Sequence, residues 1–264
     1  MTRKLNYKAT VISILLIVVS LIAWGLQHSY LQQNRTVQKT KVNDSLAGKP
    51  AANPLLLRRY RAVFKKYDTI KTNCTMQGMI NIVDQADTSG NMKNVDFLFC
   101  KAGDDFYYRL GTTETINAKG LYIFIDNKAQ TMVVTAQKKV AYDQRPAAFA
   151  DIGNVVKSEG YKIAGFVKDN IQTISLHNEH NINCKQFSIS FDTLNLTITH
   201  MYARMTNVQD PLRTDNEKVV DIAITEWTNK ADLDKAFVKG NILKSEDGRW
   251  KAVNKYKNYS LTTM

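Results

Sequence analysis

Four histidines, three cysteines and two close acidic pairs are the residues of this 264-residue chain whose types and spacing could do chemistry. His177-Asn178-Glu179-His180 brings two imidazoles and a carboxylate together, a donor set that zinc accepts. A helical zinc peptidase, however, needs H-E-x-x-H, which sets its imidazoles one turn apart. Here the cluster falls between two predicted strands and reads as a polar turn. His28 and His200 stand alone in the sequence. Asp84 with Asp87, and Asp104 with Asp105, have the proximity of an acid–base pair. Each pair also lies at an expected turn, where Asp side chains bond the local backbone. No Gly-rich phosphate loop, Cys-x-x-Cys pair or Gly-x-Ser-x-Gly elbow occurs. The expectation is a binding or structural protein, not an enzyme, with no catalytic residue, no metal and no cofactor.

The cysteines are Cys74, Cys100 and Cys184. If the strands pair with Ile80 opposite Phe97, Cys74 faces Gly103, about 10 Å along the strand from Cys100 at ~3.3 Å per residue. Its side chain also takes the opposite face, and a disulfide requires Cα atoms within about 7 Å. Buried free thiols are therefore expected. Asn-x-Ser/Thr triplets begin at Asn34, Asn43, Asn73, Asn195 and Asn258, close to what the composition alone produces.

Those residues have to be carried by defined elements. Ala9 to Leu26 contains no charge and is dominated by Val, Ile and Leu. At 1.5 Å per residue it reaches about 27 Å, enough to cross the apolar layer of a bilayer. Arg3, Lys4 and Lys8 precede it and Trp24 sits at its far end, which orients residues 1–8 to the cytoplasm and exports the rest. The expected arrangement is a single-pass signal-anchor (residues 9–26) in the inner, cytoplasmic membrane, with a periplasmic domain. A cleaved signal peptide ending near Ala23 and Gly25 is the alternative. Residues 27–54 are polar, lack an apolar period and end in Pro50 and Pro54, a flexible linker. Residues 55–264 form the exported domain. A hydrophobic content of 44% with 12 Gly and 4 Pro excludes collagen-like and low-complexity chains.

The net charge of +12 includes a basic tail, Arg249, Lys251, Lys255 and Lys257, interleaved with Tyr256 and Tyr259. That stripe has the composition of a nucleic-acid contact. An exported domain instead meets anionic lipid headgroups, so membrane rather than nucleic acid is the expected neighbour.

Within the domain, Leu55 to Tyr67 repeats apolar residues at helical spacing (Leu56, Tyr60, Val63, Phe64, Tyr67) with Arg58, Arg59, Arg61, Lys65 and Lys66 opposite. After Lys71 the period becomes two. Pairing Ile82 with Val95, Ile80 with Phe97 and Gly78 with Phe99 puts all of them on one face. A turn at Ala102-Gly103 would set Phe99 against Phe106 and Phe97 against Tyr108. Leu121, Ile123 and Ile125 pair with Val134 and Met132. The predicted result is one apolar face through five strands, with Ile80, Ile82, Phe97, Phe99, Phe106, Tyr108 and Ile123 as candidate ligand-binding residues. A second helix is predicted over Ala147–Lys157. Strands follow over Tyr161–Val167, Ile171–His177, Lys185–Phe191, Leu196–Met205 and Lys218–Trp227, then a short helix over Ala231–Val238. The fold class is α+β: a curved antiparallel sheet, a half-barrel, with helices covering its concave face.

The Leu55–Tyr67 helix leading into CTMQGMINIVD (Cys74–Asp84), with NVDFLFCKAGDDFYYRL (Asn94–Leu110) and FDTLNLTITHMYARMT (Phe191–Thr206), resembles the bacterial lipoprotein-carrier superfamily, the LolA-type and LolB-type proteins. The resemblance runs over roughly Leu55 to Trp250. It implies an apolar-lined half-barrel closed by helices that shields acyl chains. It also implies an inward arginine securing the lid; Arg109 falls on the outward parity, leaving Arg204 as the candidate. Two functions follow as expectations: an envelope-anchored carrier or binder of an acyl chain or lipoprotein-type ligand, or an interaction subunit of a membrane-spanning assembly such as a secretion apparatus, with an envelope protein as its partner.

Overall fold

Asn53 and Pro54 open the first helix, α1 (Pro54–Asp68). The Asn53 side-chain oxygen accepts from the amides of Leu55 (3.1 Å) and Leu56 (3.3 Å), satisfying donors that a helix start leaves free. Pro54 lacks an amide that would need a partner there. In the computed structural model, the described residues are 53–68, 73–139, 152–207, 213–231, 233 and 242–264. The expected membrane segment, the linker up to residue 52, and most of the predicted 231–238 helix lie outside them. Among the described residues no helix is long and apolar enough to cross a membrane.

The chain divides into two compact units, one drawn from Met1–Lys65, Ile82–Asn91 and Tyr142–Asp221, the other from Lys66–Asn81, Met92–Ala141 and Ile222–Met264. Two strands, β1 (Asn73–Asp84) and β11 (Lys218–Thr228), contribute residues to both.

The first unit contains α1, a short α2 (Ile152–Ser158), β7 (Lys162–Lys168), β8 (Ile171–His177), β9 (Cys184–Asp192) and β10 (Ile198–Met205). Its strand order is β11-β10-β9-β8-β7. A two-residue turn, Asp169-Asn170, both with positive φ, joins β7 to β8. On one face Ile174 pairs Ile189 and Leu176 pairs Phe187, all buried. On the other face hydroxyls bridge the strands, Thr173 to Ser190 (2.8 Å) and Ser175 to Ser188 (2.7 Å). Leu57, Tyr60 and Val63 are the buried stripe of α1, while Arg58, Arg59, Arg61 and Lys65 are exposed. Leu56 packs against Gly165 so closely that a Cβ there would lie 2.8 Å from a Leu56 methyl. The apolar face of this unit is therefore served by the chain's own helix.

The second unit adds β2 (Met92–Ala102), β3 (Asp105–Leu110), β4 (Thr113–Ala118), β5 (Leu121–Asp126) and β6 (Thr131–Ala136). A separate hairpin, β12 (Leu243–Glu246) with β13 (Arg249–Ala252), and a short final strand, β14 (Ser260–Thr263), complete it. The order is β14-β6-β5-β4-β3-β2-β1-β11; β2 to β6 pair antiparallel and β14 runs parallel to β6. Gly78 lets β1 approach β11: a Cβ at that position would sit 1.9 Å from the Ala223 carbonyl oxygen.

The α+β class and the helix–meander–helix–meander order agree with the sequence reading. Two departures are local. The β2–β3 turn is Gly103-Asp104, with Gly103 at φ 60°, not Ala102-Gly103. Every partner therefore moves by two: Phe99 faces Tyr108 and Phe97 faces Leu110. A two-residue shift preserves the face, so the apolar alternation could not distinguish the registers. The other departure is β4, a strand the sequence reading lacks, and it has larger consequences.

Candidate functional site

Registers from β2 to β6 assign the paired side chains of these five strands to one of two faces. The first carries Phe97, Phe99 and Lys101 from β2 and Phe106, Tyr108 and Leu110 from β3. Thr115 and Asn117 of β4 follow, then Phe124 and Tyr122 of β5. Thr75 donates to the Cys100 sulfur at 3.5 Å, which puts odd-numbered β1 side chains on the opposite face. Even-numbered ones, Cys74 to Ile80, therefore share the Phe97 face. Ile80 and Ile82 are fully buried, and Ile82 belongs to the part of β1 that lies in the first unit.

The result is an aromatic wall. The Phe99 ring lies 6.4 Å from Phe106 and 6.5 Å from Tyr108, edge-on to the latter, within the range of favourable ring pairs. Phe97 is 1% exposed and Tyr108 4%, whereas Phe99 is only half-buried. Burial pushes the Tyr108 phenol far above its ordinary pKa, so it stays a donor. Its hydroxyl is buried with no hydrogen-bond partner among the described residues. At one end of the wall stand Lys101, opposite Phe106, and Lys138, whose ammonium lies 3.9 Å above the Tyr122 ring. Burial lowers the Lys101 pKa, and the nearby Cys74 and Asp104 oppose that shift.

Ile123 is not part of this wall. It pairs with Ile116, which pairs with Tyr107, and all three occupy the opposite face. The sequence reading carried one face from β3 straight to β5. The intervening β4, with its two-residue connections, inverts the parity of β5 relative to that assumption. Lys101 and Thr115 are wall residues that the sequence reading does not include. Lys101 shares parity with Phe97 and was readable; Thr115 was hidden with its strand.

The opposite face is filled by the chain itself. Cys100, Tyr107, Ile116, Leu121, Ile123, Ile125, Met132 and Val134 form one cluster with Ile242, Leu243 and Tyr256 of the C-terminal segment. Inside it the Glu114 carboxylate accepts from Tyr107 (2.9 Å), Asn127 (2.8 Å) and Tyr256 (3.3 Å), with the Lys255 ammonium at 3.7 Å. Tyr256, which the sequence grouped with an exposed basic tail, is thus a core residue. Arg109 is exposed, on the Glu114 face.

In the first unit, Glu217 clamps two cations: Lys185 at 2.7 Å and Arg204 at 3.2 Å. Arg204 also bonds Glu179, which holds that carboxyl below its ordinary range. His177 lies 3.9 Å from the same carboxylate, and His200 pairs with Asp221 at 3.2 Å. Among the described residues no His, Cys, Asp or Glu group has a metal-binding arrangement. Asp84 and Asp87 accept local backbone amides, as turn residues do. Asp105 accepts from Gln137 at 2.7 Å. The three cysteines are unpaired and buried.

No protein-family model and no curated protein sequence matches the chain. Among solved structures it is similar to an uncharacterized conserved protein from Thermus thermophilus, at 8% identity and TM-score 0.34 over 80% of this chain and 98% of that one. The MucA/MucB complex of Pseudomonas aeruginosa gives 10% identity and TM-score 0.30, over 70% and 60%. A domain described as that of an outer membrane lipoprotein-sorting protein from Vibrio parahaemolyticus gives 7% and TM-score 0.24, over 64% and 91%. Likenesses this distant do not carry a function across.

Proposed function

We propose that the protein is a membrane-tethered envelope domain that binds an acyl chain, or a ligand bearing one, against the Phe97–Phe99–Phe106–Tyr108 wall. One observation carries the reading. An antiparallel sheet commonly turns one face to water, yet β2–β5 present apolar residues on both faces. The chain's own C-terminal segment fills one face. The other is an aromatic wall with a buried, unpartnered hydroxyl. The resemblance to lipoprotein carriers supports the same class of ligand. The domain works without catalysis, held by residues 9–26 in the inner membrane and exported through residue 264. A reporter active only outside the cytoplasm, fused after Pro54, tests that orientation.

A second reading has its own support. β7 is the last strand of its sheet, and Phe166 and Val167 on it are 62% and 61% exposed. An open apolar edge of this kind suits strand addition by a protein partner. Native mass spectrometry of the detergent-extracted protein separates the two. The carrier reading expects a one-to-one adduct with a fatty-acyl probe. A co-purifying protein and no such adduct would favour the interaction subunit.

A further inference from the structure

Leu55, Phe166, Val167 and Leu194 are 64%, 62%, 61% and 82% exposed, half of the exposed large hydrophobic residues among the described residues. They are far apart in sequence, yet the first unit gathers them at one end of its sheet. Phe166 and Val167 come just before the Asp169-Asn170 turn that closes β7. Leu194 tips the connection from β9 to β10, which lies beside that turn: the Thr193 amide donates to the Asn170 carbonyl at 2.9 Å. Leu55 arrives through α1. Leu56 packs on Gly165 of β7, and the Tyr60 phenol, one turn on, feels the Cys184 thiol at the far end of β9. The start of α1 therefore points toward Val167 and the two turns.

Cations flank this apolar end. Arg58 and Arg59 are exposed one turn after Leu55, on its side of the helix, and the exposed Lys168 follows Val167. Asp192 is occupied, accepting the amides of Leu194 (2.8 Å) and Asn195 (3.0 Å), and Asp169 is adjacent to Lys168. Exposed apolar side chains fringed by Lys and Arg suit the boundary between lipid headgroups and acyl chains. Strand addition along β7 would give Leu55 and Leu194 no role, since neither lies on that strand. The chain also enters α1 at this end, at Asn53. A linker of the length of residues 27–52 has a root-mean-square span of about 30 Å, so an anchor at residues 9–26 keeps this end, rather than the opposite one, near the bilayer.

We propose that this end of the first unit docks on the membrane that carries the anchor, with Leu55, Phe166, Val167 and Leu194 in the headgroup–acyl boundary and Arg58, Arg59 and Lys168 on anionic headgroups. The proposal rests on the tethered reading above and is independent of the acyl-binding wall.

The test uses full-length protein in nanodiscs of phosphatidylcholine, with and without phosphatidylglycerol. Leu194→Cys and Ile182→Cys each carry an environment-sensitive fluorophore. Ile182 is also exposed but lies just before Cys184, at the opposite end of the sheet. The native thiols are buried, so the dye goes to the introduced one. At position 194 the emission should shift to the blue in the anionic discs and be quenched by nitroxide-labelled lipid, while the dye at position 182 stays in water. Reversing the charge of Arg58, Arg59 and Lys168 to Glu should abolish most of that quenching without moving the thermal midpoint, because all three are exposed. A dye at position 194 that stays in water would overturn the proposal and leave these residues to a protein partner. Equal quenching at positions 194 and 182 would overturn it too. So would quenching that is unchanged in neutral discs or after charge reversal. Protein that fails to enter the discs at all would overturn the tethered reading and the proposal together.

Discussion

Tyr107 Oη donates to Glu114 Oε2 at 2.9 Å on one face of β3, while the hydroxyl of the adjacent Tyr108 is buried on the other face without a partner among the described residues. Two identical side chains, one residue apart, thus separate the filled core of the second unit from its aromatic wall. Tyr107→Phe should lower stability by about 1.5–3 kcal/mol, since it removes a buried bond to a carboxylate. Urea unfolding of Tyr107→Phe and of Tyr108→Phe measures this, with Tyr107→Phe expected to be the less stable. The reverse order would mean that the faces are misassigned.

Phe97 and Phe99 share the wall but differ in burial, and their substitutions should separate accordingly. Phe97→Ala removes a side chain that is 1% exposed and should cost about 3–5 kcal/mol. Phe99→Ala, only half-buried, should cost clearly less while weakening binding of a fluorescent fatty-acyl probe at least as much. Equal stability losses with no effect on probe binding would make the wall ordinary core.

Glu217 is the hinge of the charge cluster, because it neutralises both the buried Lys185 and the half-buried Arg204. Glu217→Gln should destabilise by about 3–5 kcal/mol, mostly by leaving the Lys185 ammonium buried without its counterion. Adding Lys185→Met should recover a large part of that loss, a non-additivity that a double-mutant cycle reads directly. If Glu217→Gln unfolds at the wild-type urea midpoint, the pair carries no such energy.

Burial pushes the Cys184 thiol up to about 12 and the Cys74 thiol up to about 11. Tyr60 and Tyr161 are also shifted upward by burial. An acid whose folded pKa is raised keeps its proton in the folded state after the unfolded chain has lost it. Its contribution is whole below the unfolded thiol value, roughly 8.5, and drains away as pH rises toward the folded value. The urea midpoint should therefore hold near pH 8 and fall between pH 9 and 11, by up to about 1.4 kcal/mol per pH unit for each group. A flat midpoint over that range would contradict the buried thiols. So would rapid alkylation of Cys184 in the folded protein at pH 8.

Much of the second unit was legible in the sequence because period-two alternation survives wherever a strand has unlike faces. β1, with buried Cys74, Met76, Gly78, Ile80 and Ile82, and β2, with Phe97 and Phe99, are of that kind. β4 is not: Glu114 to Ala118 are all buried, so TETINA has neither alternation nor an unbroken apolar run. Overlooking one strand then moved Ile123 to the wrong face, although its strand does pair with that of Met132 and Val134 as the sequence reading has it. Tyr256 was hidden differently. Its sequence neighbours are basic, and only the long-range contact with Glu114 makes it core. The first unit's strands lie within a few residues of their predicted bounds, since Thr173, Ser175, Ser188 and Ser190 mark its polar face. The wall's aromatic side chains were thus readable, and its orphan hydroxyl was not, because a missing partner has no sequence signature.

The most direct test of the central claim is to locate a bound acyl chain. Full-length protein in detergent would be irradiated with a palmitate analogue carrying a diazirine in its chain, digested, and its adducts mapped by mass spectrometry. The account predicts adducts on the segment from Asn94 to Leu110, which holds Phe97, Phe99, Phe106 and Tyr108, suppressed by excess unlabelled palmitate. Adducts confined to the C-terminal segment around Tyr256, or labelling that unlabelled palmitate does not compete away, would contradict it.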